Sequence, residues 1–139
     1  MGFSIFLNFD GTCREAVTFY AKVFNKKTPT FLTYGNMDAS FDSNVVVSDK
    51  GKALIASTSL EICGTVVQFS DMPDNFEFIR GNSMALIVSF KTFEEAKVIF
   101  DRLAEGGSVF VPLTETANSY SLLADKYNIN WQISVNGMA

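Results

Sequence analysis

Thr12-Cys13-Arg14-Glu15 and, eighty positions later, Thr92-Phe93-Glu94-Glu95 decide the fold of this chain. Each stretch has the form of a capping box, in which the threonine hydroxyl accepts the third helical amide and the glutamate reaches back to the threonine amide. The register holds through the residues that follow. Ala16, Phe19, Tyr20 and Val23 correspond to Ala96, Ile99, Phe100 and Leu103, and Lys22 corresponds to Arg102. Both sets fall at i, i+3, i+4 and i+7, the apolar stripe of a helix lying on a core. Asn25 ends the first helix and Gly106-Gly107 the second, residue types that tolerate the left-handed backbone of a C-cap. A strand is predicted before each helix, over 3–9 and 84–90. Three strand-like runs follow each helix, at 28–34, 53–62 and 65–70 in the first copy and at 108–113, 120–125 and 129–135 in the second. The order β-α-β-β-β therefore occurs twice. Ile62-Cys63-Gly64-Thr65 and Tyr127-Asn128-Ile129 have the composition of tight hairpin turns. Residues 35–52 are polar and are predicted as an excursion between strands.

Composition bounds the rest. With 139 residues, 47% apolar and 19% charged, the chain can bury a core without metal or disulfide. It is expected to be a single α+β domain over 1–139, built of module 1 (about 1–70), a linker (about 71–82) and module 2 (about 83–139). The formal charge is −4 and no basic cluster extends beyond Lys26-Lys27, so nucleic acid is not an expected partner. No apolar run approaches the ~20 residues of a membrane span, so no membrane is expected either. Two cysteines, Cys13 and Cys63, and an opening Met1-Gly2-Phe3-Ser4 with no basic leader suggest a cytoplasmic protein. There is no histidine, which removes the commonest general base and the commonest transition-metal ligand.

A doubled β-α-β-β-β unit resembles the vicinal oxygen chelate superfamily of glyoxalases, extradiol dioxygenases and bleomycin-resistance proteins. Phe6-Leu7-Asn8-Phe9-Asp10-Gly11, Cys13-Arg14-Glu15-Ala16 and Phe19-Tyr20-Ala21-Lys22-Val23-Phe24 are similar to the opening of its PhnB-like branch. Leu60-Glu61-Ile62-Cys63-Gly64-Thr65 resembles the branch's central hairpin. Phe100 to Gly107 and Pro112-Leu113-Thr114-Glu115-Thr116 resemble its second helix and the strand after it. Asp125-Lys126-Tyr127-Asn128-Ile129-Asn130-Trp131 resembles its closing strand, where the branch usually has Asp-x-Phe-Gly-x-x-Trp. The resemblance implies a glyoxalase-like fold: two tandem βαβββ modules whose mixed and antiparallel sheets curl into a shared cup, commonly in a homodimer. Some members of the branch carry a methyltransferase label. No Gly-rich strand-turn-helix loop for an adenosyl cofactor is present, so no cofactor is expected.

The superfamily's metal-ligand positions, transferred by resemblance, fall on Ile5, Ser57, Ala85 and Gln132. None is a carboxylate, imidazole or thiolate, so no metal site is expected. Strand alternation places Ser57, Ser59 and Glu61 on one phase of the third strand and Gln132 on the corresponding phase of the last. These four are the candidate ligand-binding residues, facing either a cavity or plain solvent. Glu61 and Glu115 are the weak candidates for a catalytic base. Cys13, beside Arg14 in a first helical turn, is either a reactive thiol or an inert helix residue. Three readings of function follow. The first is a metal-independent protein that binds an unidentified small molecule. The second is a lyase or isomerase of the same fold using a carboxylate base or an unseen metal, which leaves open whether the chain is an enzyme. The third is a dimeric scaffold with a vestigial cavity.

Overall fold

The computed structural model describes residues 1–37, 48–116 and 119–136. Its elements follow the doubled order: β1 (Ile5–Phe9), α1 (Cys13–Val23), β2 (Leu32–Thr33), β3 (Ile55–Ile62) and β4 (Thr65–Asp71). Then come β5 (Leu86–Phe90), α2 (Phe93–Ala104), β6 (Ser108–Val111), β7 (Tyr120–Ala124) and β8 (Asn130–Val135). Of the polar excursion predicted over 35–52, residues 38–47 lie outside the described residues. Its flanks form short 3-10 turns at Tyr34–Asn36 and Lys50–Ala53.

The chain divides into two compact units, Met1–Ile79 and Arg80–Ala139. In the first, the sheet order is β1-β4-β3-β2, with β1 parallel to β4 and the other neighbours antiparallel. The second repeats it as β5-β8-β7-β6, again with one parallel pair, β5 and β8. These are mixed sheets, as expected, but the shared cup is not. Each sheet is open, ends at two edge strands and is neither closed nor strongly curled. The reason lies in the number and shape of the strands. Closing a sheet on itself takes a strand number, tilt and continuous stagger that match one another. Each sheet here has four, and its outer strand is interrupted: β2 is two residues long with a register shift between them, and β6 shifts register between Val109 and Val111.

Each helix covers one face of its own sheet. Helix α1 buries Cys13, Ala16, Val17, Tyr20, Ala21 and Val23 and packs on β3 and β4. The Tyr20 ring stacks on Phe69 with centroids 6.0 Å apart, and Phe69 in turn stacks on Phe9 at 6.4 Å. Each of these fully buried side chains contributes ~1.5–3 kcal/mol of apolar burial. Phe19, predicted in the stripe, is only half-buried, and Val17 takes the deeper position. Helix α2 buries Ala96, Ile99 and Leu103 and packs on β5, β7 and β8, whose inner phase includes Val88, Leu123, Trp131 and Ile133.

The two helices start differently despite the shared sequence device. Thr92 is extended (φ −124°, ψ 153°), and its Oγ1 accepts the Glu95 amide at 3.2 Å, the hydroxyl half of the predicted box. Thr12 is not extended (φ −110°, ψ 12°) and makes no side-chain cap. Asp71, at the end of β4, takes that role. Its Oδ1 accepts the Cys13 amide at 2.9 Å and its Oδ2 accepts the Ile55 amide at 2.8 Å. One buried carboxylate thus ties the first turn of α1 to the first residue of β3.

Asp125 has a comparable role in the second unit. Its Oδ1 accepts the Tyr127 and Ile129 amides at 2.8 and 3.1 Å, and its Oδ2 accepts the Trp131 indole N–H at 2.8 Å. Asn128 takes the left-handed backbone the turn requires (φ 65°), and its amide donates to the Asp125 carbonyl at 2.8 Å. The Asp-to-Trp motif therefore satisfies a buried turn and a buried indole together. One neighbouring polar group has no such partner. Ser121, fully buried and paired with Ile133, is the only buried side-chain hydroxyl among the described residues with no hydrogen-bond partner. An unsatisfied buried hydroxyl costs ~1–3 kcal/mol, so Ser121→Ala is expected to stabilise the protein by about 1 kcal/mol. Urea unfolding checks this, and a loss of stability would show that the hydroxyl has a partner.

Candidate functional site

Because α1 covers the phase of β4 that carries Phe69, the opposite phase of the first sheet is free of the helix and is largely exposed, except at Ser70, which is buried and donates to the Asn8 side chain. Across it lie Phe6 and Asn8 on β1, Val66, Gln68 and Ser70 on β4, and Ser57, Ser59 and Glu61 on β3. The exposure along β3 follows the predicted alternation from Ser57 onward: Ser57, Ser59 and Glu61 are exposed, while Thr58, Leu60 and Ile62 are buried. The β3–β4 turn fixes what each residue faces. Cys63 and Gly64 both have positive φ (48° and 86°), which makes a two-residue turn that pairs Ile62 with Thr65. Counting back from that pair sets Glu61 against Val66 and Ser59 against Gln68.

A groove of about 540 Å³ opens beside these residues. Its floor is Ser57, Ser59 and Gln68, and its wall is the segment from Pro29 to Leu32 that leads into β2. Directly opposed side chains sit ~5 Å apart at Cβ, so Ser59 and Gln68 can grip one ligand group together. Ser57 is two residues along the same strand face, ~7 Å away. The wall is held in place by the Thr58 hydroxyl, which donates to the Thr30 carbonyl at 2.7 Å. The Arg14 guanidinium lies 4.7 Å from the Phe31 ring centroid and covers part of that aromatic wall. Asp71, by fixing Ile55, sets the start of the strand on which both serines stand.

The structure brings together two of the four candidate ligand-binding residues. Ser57 and Ser59 share the groove. Glu61 continues their face towards the hairpin but does not line it. Gln132 belongs to the second sheet, on the phase of Ile87 and Leu122, where its amide donates to the Ser134 hydroxyl at 3.3 Å. Glu115 is exposed in the loop after β6 and is not one of the groove's lining residues. Gln68 and the Pro29–Leu32 wall were not among the candidates. The two-residue hairpin turn was the signal for Gln68, because it fixes the partner of Ser59.

The superfamily's metal positions do not converge on a donor set. Ile5 pairs with buried Val67 on the helix-facing phase, and Phe6 takes the open one. The helices keep the eighty-residue register, but the equivalent of Ile5 at the start of β5 is Leu86, and Ala85 precedes the strand. A hydroxyl at Ser57 and an amide at Gln132 are the only polar groups of the four. Among the described residues, no group of three or more Asp, Glu or Cys side chains is placed to hold a metal ion. These residues do not fit a divalent cation.

Cys13 is an inert helix residue. It is fully buried, and burial, followed by the nearby Asp71 charge, pushes its thiol up to about 12 against the smaller opposing effect of Arg14. Cys63 is exposed at the hairpin tip, and partial burial raises its thiol with Lys26 opposing. Ellman's reagent at pH 8 is therefore expected to modify one thiol per folded chain, Cys63, and both only after denaturation. Equal rates for the two thiols in the folded protein would contradict the burial of Cys13.

Comparison with known proteins agrees with this architecture. Residues 1–134 match a family described as 3-demethylubiquinone-9 3-methyltransferase. Protein YjdN of Escherichia coli K12 is 27% identical over 142 residues, which cover 97% of this chain and 95% of that protein. Among solved structures, protein PA1353 of Pseudomonas aeruginosa has a TM-score of 0.81 at 25% identity over 97% of both chains. A PhnB protein from Bacillus cereus has a TM-score of 0.72 at 24% identity, covering 97% of this chain and 99% of that one. With the doubled βαβββ order, the Asp-to-Trp closing turn and a family match over nearly its whole length, the chain belongs to the PhnB-like branch of the vicinal oxygen chelate superfamily.

Proposed function

We propose that this protein is a metal-independent binder of a small molecule, held in the groove on the open face of the first sheet. The observation that carries this reading is the meeting of Ser57, Ser59 and Gln68 with the Pro29–Leu32 wall around about 540 Å³. That volume lies within the ~300–1,000 Å³ of ordinary small-molecule sites. The lining is more polar than that of most such sites, with Pro29, Phe31 and Leu32 as its apolar part and hydroxyl and amide groups able to fix a ligand's orientation.

The family description implies an adenosyl cofactor, and the residues do not fit one. The β1–α1 loop, Asp10-Gly11-Thr12, has a single glycine, and the β5–α2 loop, Lys91-Thr92, has none. The Cys13 amide at the start of α1 already donates to the Asp71 carboxylate. Glu61 and Glu115 stand outside the groove lining, so no observation favours a carboxylate-based lyase or isomerase over binding.

No described helix is long and apolar enough to cross a membrane. Two free thiols suit a reducing compartment, and a cytoplasmic setting fits them. A homodimer is part of the same proposal. Among the described residues, strands β1 and β5 each hydrogen-bond to one neighbouring strand, and both carry exposed apolar side chains, Phe6 and Ile87. Unpaired edges of this kind are usually covered. Light scattering is expected to give twice the 15.3 kDa chain mass, and a monomer at micromolar concentration would refute the dimer.

The binding proposal is tested by a thermal-shift screen of small neutral compounds with and without EDTA or added Mn, Ni or Zn. Compound-induced stabilisation that EDTA leaves unchanged is the expected result. Stabilisation that requires a metal would overturn it.

A further inference from the structure

From the chemistry of the groove lining we infer the class of its ligand: an uncharged, flat molecule whose ring carries an amide, carbonyl or hydroxyl group. The inference rests on the groove being the binding site and goes further by naming what it takes. The floor offers two serine hydroxyls and one glutamine amide, each able to donate and to accept. The wall offers Pro29, Phe31 and Leu32, an apolar surface against which a ring can lie. No lining residue carries a formal charge.

The charges that bracket the groove cannot substitute for an internal one. Arg14 lies on the Phe31 ring and Glu61 follows Ser59 on the same strand phase, one charge of each sign and neither in the lining, so together they favour neither a cation nor an anion. Either ion would give up hydration with no counter-ion in the groove. A neutral amide gives up less and recovers it. Ser59 and Gln68, facing each other across the β3–β4 ladder, can satisfy its carbonyl and its N–H together, while Ser57, two residues along, can reach a second polar group on the ring.

The test uses the full chain, uniformly 15N-labelled, titrated with benzamide, benzoate and benzylamine and with the 4-hydroxy form of each. The amide resonances of Ser57, Ser59 and Gln68 report the site. The expected result is that the benzamides shift these resonances and bind at least tenfold more tightly than the benzoates and the benzylamines. Gln68→Leu, at an exposed position where the spectrum itself verifies folding, is expected to weaken 4-hydroxybenzamide about tenfold. A benzoate or benzylamine that binds as tightly at the same resonances would overturn the neutral class and leave the groove standing as the site. Shifts confined to other residues, or none from any of the six compounds, would overturn the groove assignment as well. An unchanged affinity in Gln68→Leu would remove that side chain from recognition and with it the paired grip on the amide.

Discussion

Asp71→Ala is expected to lower stability by ~3–5 kcal/mol, more than any other polar truncation in the first unit. The carboxylate is 2% exposed and accepts two buried backbone amides, from Cys13 and Ile55. Hydrogen bonds to a charged group are worth ~1.5–3 kcal/mol each, and their loss leaves two donors without partners in the interior. Thr12 makes no side-chain cap on α1, so it does not share this role. The damage should reach the groove. Ile55 opens β3 two residues before Ser57, and freeing its amide loosens the strand that carries the floor. Asp71→Asn retains one acceptor oxygen but turns an N–H₂ towards the other amide, so it should fall between the wild type and alanine. Urea unfolding with matched m-values measures all three proteins. A cost for Asp71→Ala below ~1 kcal/mol would show that the two amides find other acceptors and that the carboxylate is not the tie between α1 and β3.

The same residue marks where sequence reading stops. The doubled helix register, the strand order and the closing turn were all legible, because each is a local pattern written within a few residues. The Cys63-Gly64 turn even contained the pairing of Ser59 with Gln68, two residues that no motif connects. What local pattern could not reveal was competition from a distance. Thr12-Cys13-Arg14-Glu15 is as good a capping box as Thr92-Phe93-Glu94-Glu95, yet a carboxylate fifty-eight positions from Cys13 takes over the first amide, and Thr12 adopts a backbone that cannot cap. The groove wall was hidden for a related reason. Residues 29–31 belong to the strand-like run predicted over 28–34, but only Leu32 and Thr33 pair as β2, and the stretch before them is tied to β3 by a side-chain hydroxyl, not by a ladder. The shared cup came from resemblance alone. Interrupted outer strands, β2 and β6, leave each sheet open, and their brevity is a property of register that composition does not display.

Ile133→Asp against Ser57→Phe gives the sharpest test of which faces are buried. Ile133 is fully buried in β8, on the phase of Trp131 and Val135 that lies beneath α2, between Val88 on one side and Ser121 on the other. A carboxylate there has no cation to pair with among those neighbours and must either ionise in an apolar interior or take up a proton to avoid it. Either course adds to the lost packing of the isoleucine side chain, so a loss of ~4 kcal/mol or more is expected, a large part of the usual ~5–15 kcal/mol margin of a folded protein. Ser57→Phe makes a larger change in volume at an exposed position beside a groove of about 540 Å³. The ring has open space to enter, so the cost should stay below the ~1–3 kcal/mol of overpacking a true core. Its effect should appear instead in binding, because the ring would occupy the space between Ser59 and the Pro29–Leu32 wall that the ligand needs. Melting curves of the two variants, read with a titration of 4-hydroxybenzamide into Ser57→Phe, separate the effects. If Ser57→Phe proves the more destabilising, the phases of β3 and β8 are reversed, and the groove assignment of Ser57, Ser59 and Gln68 falls with them.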